Sequence, residues 1–218
     1  MAKRLYFTNE EILQNSKVLF ETLEKHQQIA EKLQDYGYGS EEIQKGKQLY
    51  AQARKSYTTN KQETEDEKIA YATFKALMDT ATEAYRTHRG KAKLIFKNNP
   101  TAQISLALKG SPAVAILLLI EEMYSFYTKL KADTNLLTPL ARLKIATDDV
   151  EKQLSNIAQI RDAYANYSQE KNENQQATKD KNKAFDALQE WMRDLYGYAK
   201  YALEEEEQFL QIFGKIIR

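Results

Sequence analysis

A chain of 218 residues with three Pro, seven Gly and no Cys has little material for turns and none for disulfides, thiolate metal sites or cysteine nucleophiles, so long helices are favoured over an all-β fold. Its 32 Lys and Arg balance 31 Asp and Glu to a formal charge of +1, which leaves no global field to attract nucleic acid or an anionic membrane, only the option of a local basic patch. The first nine residues carry Lys3 and Arg4 but no apolar segment, so no signal peptide is read there and a cytoplasmic protein is expected.

Asn9 to Tyr36 reads as one unbroken amphipathic helix, ended by the turn Gly37-Tyr38-Gly39. Ser40 then offers an N-cap hydroxyl to a new helix, and Glu41 and Glu42 suit the positive end of its dipole. Apolar positions keep a heptad rhythm from there through Tyr50, Tyr57, Thr64, Tyr71, Met78, Tyr85 and Ala92, with Phe74, Ala81 and Ile95 between them. The polar stretch Thr58 to Lys68 interrupts this rhythm and has almost nothing to bury. Two architectures fit the interruption: a single helix of roughly 57 residues, about 85 Å long, or a chain reversal at a polar hairpin tip. The reversal is preferred, because helices of matched length give every apolar stripe a partner.

Asn98-Asn99-Pro100 is a helix stop, and Ser111-Pro112 reads as an N-cap with Pro at the first helical position. The helix it launches, Ala113 to Ala132, is expected to be central and buried along Val114, Leu117, Leu118 and the ring of Tyr124 or Phe126. Its apolar run, Ala113 to Ile120, is far shorter than the roughly 18 to 20 residues of a membrane-spanning helix. Thr138-Pro139 breaks the segment that follows, and Thr147 with Asp148 and Asp149 caps the next helix. A second heptad rhythm then runs through Ile157, Tyr164, Thr178, Phe185, Met192 and Ala199, interrupted by the polar stretch 168–183.

These elements repeat. Sliding the sequence by 107 positions, from Ser40 to Thr147, also brings Arg54 onto Arg161, Tyr57 onto Tyr164, Asp79 onto Asp186, Arg86 onto Arg193 and Ala92-Lys93 onto Ala199-Lys200. The expected fold is all-α: a duplicated helical bundle of about six helices, three per repeat, with very long coiled-coil-like helices as the alternative. The copies span 8–100 and 111–214 of one pseudo-symmetric domain.

Gly37-Tyr38-Gly39, Gly110 with Phe126-Tyr127 after it, Ala177-Thr178, and Ala202-Leu203-Glu204 running to Leu210 and Gly214 resemble a group of uncharacterised bacterial helical proteins. In that group two such copies flank a Gly-containing link and an aromatic-rich helix. Leu119 stands where the group has Trp, and Glu207 where it has Pro. The resemblance implies the duplicated helical fold and no particular activity.

Candidate chemistry is sparse. A di-iron bundle site needs Glu-x-x-His pairs, and neither His26 nor His88 follows an acid at that spacing. Ser111 lacks a nucleophile-elbow setting, and Tyr36-Gly-Tyr-Gly-Ser40 joins two helices without the strand that a phosphate loop requires. Arg86, Arg89, Lys91 and Lys93 beside Tyr85 scatter around their helix, so nucleic-acid binding is not expected. The acidic run Glu204 to Glu207 reads as a solvated face. Tyr196, Tyr198 and Tyr201 cannot share one stripe, so a ring among them is free for a partner. The expectation is a non-enzymatic interaction or scaffold protein without metal or cofactor, binding a protein partner or a second copy. The alternative is a membrane-active protein that releases the apolar segment 104–120.

Overall fold

The computed structural model describes residues 7–204, and among them the chain is all-α with no strand. The order is α1 (Asn9–Lys25), α2 (Gln27–Asp35), α3 (Ser40–Ile95), α4 (Pro100–Ser105), α5 (Ile116–Ala132), α6 (Thr134–Leu137), a 3-10 segment (Thr138–Leu143) and α7 (Thr147–Ala202). Of the acidic run, Glu205 to Glu207 lie outside the described residues, as do Leu210 and Gly214.

Both polar stretches, 58–68 and 168–183, are continuous helix, which corrects the expected hairpin tips. Neither contains Gly or Pro. Facing polar side chains also pair across the seam instead of needing an apolar stripe. Asn60 donates to Thr178 Oγ1 at 2.9 Å and to Asn174 Oδ1 at 3.3 Å, and Thr64 Oγ1 donates to Asn174 Oδ1 at 3.0 Å. Paired in this way, part-buried amides and hydroxyls escape the cost of desolvated, unsatisfied groups.

The chain divides into two compact units: Met1–Glu65 with Asn172–Arg218, and Asp66–Lys171. These are not the two sequence copies. Each unit takes the first half of one long helix and the second half of the other. Within each, α3 and α7 run antiparallel, as the pairs Gly46–Trp191 and Tyr57–Phe185 in the first unit and Tyr71–Tyr167 and Phe74–Tyr164 in the second require.

The core of the first unit gathers Leu19, Phe20, Leu23, Ile29 and Leu33 of α1 and α2 around Leu188, Trp191 and Leu195 of α7. The expected Asn9 to Tyr36 helix is broken at His26, with φ −115° and ψ 79°. Six steps of about 100° would put Ile29 roughly 120° around a straight helix from Leu23. The break restores Ile29 to the core, where both residues are buried. In the second unit Met123, Phe126, Tyr127 and Leu130 of α5 pack on Phe74, Tyr85, Leu140, Ile157 and Ile160.

Ser40 and Thr147 are the first helical residues of α3 and α7, one position inside the expected cap. The carbonyls of Gly39 and Ala146 accept the first helical bonds, and the Asp149 carboxylate accepts from the Ala146 N–H at 2.9 Å. Both helices hold 56 residues. Burial repeats at the same 107-residue spacing: Ile12 with Leu119, Leu19 with Phe126, Phe20 with Tyr127, Leu23 with Leu130, Ile29 with Leu136, Leu33 with Leu140 and Tyr38 with Ile145 are all core residues.

Two further expectations need correction. Ser111-Pro112 does not cap a helix; α5 starts at Ile116 behind Ala115, which makes no side-chain cap bond. Its buried stripe is Leu119, Ile120, Met123, Phe126, Tyr127 and Leu130, while Val114, Leu117, Leu118 and Tyr124 are exposed. The expected break at Thr138-Pro139 is seen, where α6 gives way to the 3-10 turn, and Asp133 separates α5 from α6. The stop at Asn99-Pro100 is seen, and the same residues start the short α4, with the Asn99 side chain accepting from the Ala102 N–H.

Candidate interaction surface

The most elaborate polar arrangement in the second unit holds the loop between α4 and α5. Arg89 of α3 is only 4% exposed, and its guanidinium donates to the carbonyls of Ala107 (2.7 Å), Lys109 (3.2 Å) and Gly110 (3.3 Å). Lys93, one turn on, donates to Gly110 O at 3.1 Å. Ala107 (φ 50°) and Gly110 (φ 72°) take left-handed backbone conformations. Such a conformation is costly for Ala, and it persists here because fixed donors and the buried Leu106 and Leu108 anchor the turn.

Glu122 completes the clamp from α5. Its Oε1 lies 3.8 Å from Arg89 Nε and accepts from the Tyr85 hydroxyl at 2.7 Å, while Oε2 accepts the Ala113 N–H at 2.7 Å. Burial, and then this bond to Glu122, push the Tyr85 phenol well above its ordinary range. A permanently charged guanidinium is thus balanced by a carboxylate, as a buried cation must be. Beside it, His88 Nδ1 lies 3.1 Å from the Tyr127 hydroxyl. Burial and then Lys91 lower the His88 pKa, against the opposing pull of Asp149.

What this clamp presents is apolar. Val114 is 96% exposed, and Leu117 and Leu118 are 57% and 64% exposed, with Ile116 also open to solvent. The residues that follow turn inward. The sequence that leads to these apolar side chains is basic: from Arg86 to Ile120 there is no Asp or Glu, but six cations, Arg86, Lys91, Lys93, Lys97, Lys109 and the buried Arg89. Lys129 donates to Ser105 O at 2.6 Å. Glu121, next in sequence, is paired with Arg161 at 2.7 Å, and that guanidinium sits over the Tyr124 ring.

The expected basic-aromatic cluster at Tyr85 to Lys93 is thereby divided: Tyr85 and Arg89 point into the unit, and Lys93 reaches the loop. The sequence reading missed the clamp because the carbonyls lie 18 to 21 residues from Arg89 and Glu122 lies further still. A run of eight apolar residues, 113–120, also shows no phase that would separate inward from outward positions.

The tyrosines expected to offer a partner surface lie in the first unit. Tyr201 is 70% exposed, Tyr198 is exposed but packs its ring 5.2 Å from that of Tyr38, and Tyr196 is half-buried beneath Lys200. Tyr38 is buried, and desolvation, with Asp194 and Glu42 nearby, pushes its phenol up to about 12. A shallow groove of about 530 Å³ in the same unit is lined by Lys55, Ser56, Thr59, Asp180 and Lys183 over a floor of alanines. Hydroxyls and opposed surface charges meet there, without an imidazole to activate them. His26 is exposed and stands at the α1–α2 break.

Among the described residues no helix is long and apolar enough to cross a membrane. The chain matches no protein-family model, no curated protein and no solved structure.

Proposed function

We propose that this chain is a non-enzymatic helical interaction protein that docks through the apolar strip Val114 to Leu118 of its second unit. One observation carries the reading: consecutive apolar side chains are held out in solvent by a buried Arg89–Glu122 clamp that fixes the backbone on both sides of Pro112. A loop held in its bound shape loses less freedom on docking, which is the advantage of preorganisation. The largest contiguous apolar patch on a monomer, of about 300 to 600 Å², is often its functional surface. The alternative in which segment 104–120 leaves the core gains no support, since Val114 to Leu118 already lie outside it and no described helix can span a bilayer.

The reading is tested by placing a photo-cross-linking residue at Leu117 in the native cell, with Thr80, exposed elsewhere on α3, as the control. Adducts to protein or lipid are expected from position 117 and not from position 80. No adduct at position 117 would end the docking role of the strip.

A further inference from the structure

Resting on that docking reading, we infer that the strip seats on an anionic lipid surface, with the helical fold intact and the apolar side chains entering at headgroup depth. The first argument is size. Four partly exposed side chains and Ala115 offer on the order of 400 Å² of apolar surface. A stable protein interface needs about 800 Å² from each partner. A bilayer surface asks less, because a few apolar side chains combine with electrostatic attraction to anionic headgroups.

Charge supplies the second argument. At the chain's average of 31 acids in 218 residues, the stretch from Arg86 to Ile120 would hold about five, and it holds none. Of the two carboxylates that follow, Glu122 is engaged by Arg89, Tyr85 and Ala113, and Glu121, exposed at the surface, is paired with Arg161. Lys97 and Lys109 are exposed in the same stretch. The positive end of α5 points the same way: its N-cap Ala115 makes no side-chain bond, and no acidic residue lies in the first turn. An uncapped helix start favours a phosphate or carboxylate group. Apolar side chains on the loop and first turn of α5, with the exposed Lys97 and Lys109 in the sequence that leads to them, match a layer of anionic headgroups over hydrocarbon.

The full chain is tested by co-sedimentation with phosphatidylcholine vesicles and with the same vesicles carrying about 30 mol% phosphatidylserine. Binding to the anionic vesicles is expected to be at least about tenfold tighter, and to weaken severalfold as salt rises from roughly 50 to 300 mM. Leu117→Gln with Leu118→Gln, and separately Lys97→Glu with Lys109→Glu, are each expected to lose about tenfold in binding. All four positions are exposed, so circular dichroism and melting temperature should stay unchanged and show that each variant folds. No binding to anionic vesicles, equal binding to both compositions, or wild-type binding by both variants would overturn the assignment. A dimer seen by light scattering and dissolved by the leucine substitutions, without vesicle binding, would give the strip to a second copy. That outcome overturns the lipid assignment and leaves the docking reading standing, whereas an absence of adducts from position 117 removes both.

Discussion

Trp191 occupies the space that a side chain at Gly46 would need: a Cβ there would overlap the six-membered ring of the indole at Cζ2 and Cη2. The indole N–H donates to Glu42 Oε1 at 3.1 Å, one turn earlier on α3, so the ring is held against the helix backbone. Gly in a helix interior normally costs about 1 kcal/mol relative to Ala. Here that cost is offset by the packing of an indole that is only 5% exposed.

Gly46→Ala is therefore expected to destabilise the protein by about 1 to 3 kcal/mol, since overpacking outweighs the gain in helix propensity. Gly90→Ala, where an added Cβ meets nothing within 4 Å, should stabilise by about 0.5 to 1 kcal/mol. Urea denaturation of the two variants decides the matter. A stabilised Gly46→Ala would show that Trp191 does not pack on α3 in this way.

Arg89→Ala should cost about 3 to 5 kcal/mol, because it leaves Glu122 part-buried without its counter-charge and strips the Ala107 and Lys109 carbonyls of their donor, while Gly110 O keeps its bond from Lys93. Arg89→Ala with Glu122→Gln should cost less than the single change, as the uncompensated charge is then gone. Hydrogen exchange adds a local readout, with faster exchange of the Leu108 and Ala113 amides, which bond to Gln103 O and Glu122. Unchanged protection there would mean that Arg89 does not hold the loop.

Much of this fold is legible in the sequence because its signals are local. Acids behind Ser40 and Thr147 placed the starts of α3 and α7 to within a residue, and Asn99-Pro100 marked a boundary. The 107-residue shift also matches Leu23 with Leu130 and Leu33 with Leu140 in burial. The misreadings concern non-local partners. Asn60 and Thr64 looked like hairpin residues because nothing adjacent in sequence shows that Asn174 and Thr178 face them. The phase of α5 was hidden for the same reason, since Arg89 and Glu122 decide where the loop ends and the buried stripe begins. Of the candidate site, the sequence showed the apolar run and the cations but not that the run is exposed.

Stability should fall on the acid side through His88. Its folded pKa lies below the ordinary imidazole value of 6.5 because of burial and Lys91. In the window between the two values the unfolded chain binds more protons, so the contribution is fully present above about 6.5 and is lost as pH drops through the lower folded value. Lys91 and Asp149 act on the same ring in opposite directions, Lys91 lowering the His88 pKa and Asp149 raising it. His88→Leu, which copies Leu195 at the equivalent position, should flatten the melting temperature between roughly pH 7 and 5. A variant with the wild-type slope would assign the acid sensitivity elsewhere.

The outward face of α5 makes a sharper test, because Leu118 and Leu130 lie on one helix and differ in exposure, 64% against 0%. Truncating a packed leucine removes its transfer free energy and leaves a cavity, at about 2 to 5 kcal/mol, so Leu130→Ala should lower the melting temperature markedly. Leu118→Ala removes side-chain atoms that are mostly in water already and should stay within about 0.5 kcal/mol of wild type. Ala is also the better helix former, which limits any loss near the start of α5. The same pair separates stability from docking: Leu130→Ala acts on folding, while Leu118→Ala should weaken vesicle binding with the melt intact. If Leu118→Ala instead melts as low as Leu130→Ala, Leu118 is a core residue in solution, and the strip on which the docking reading depends is not exposed.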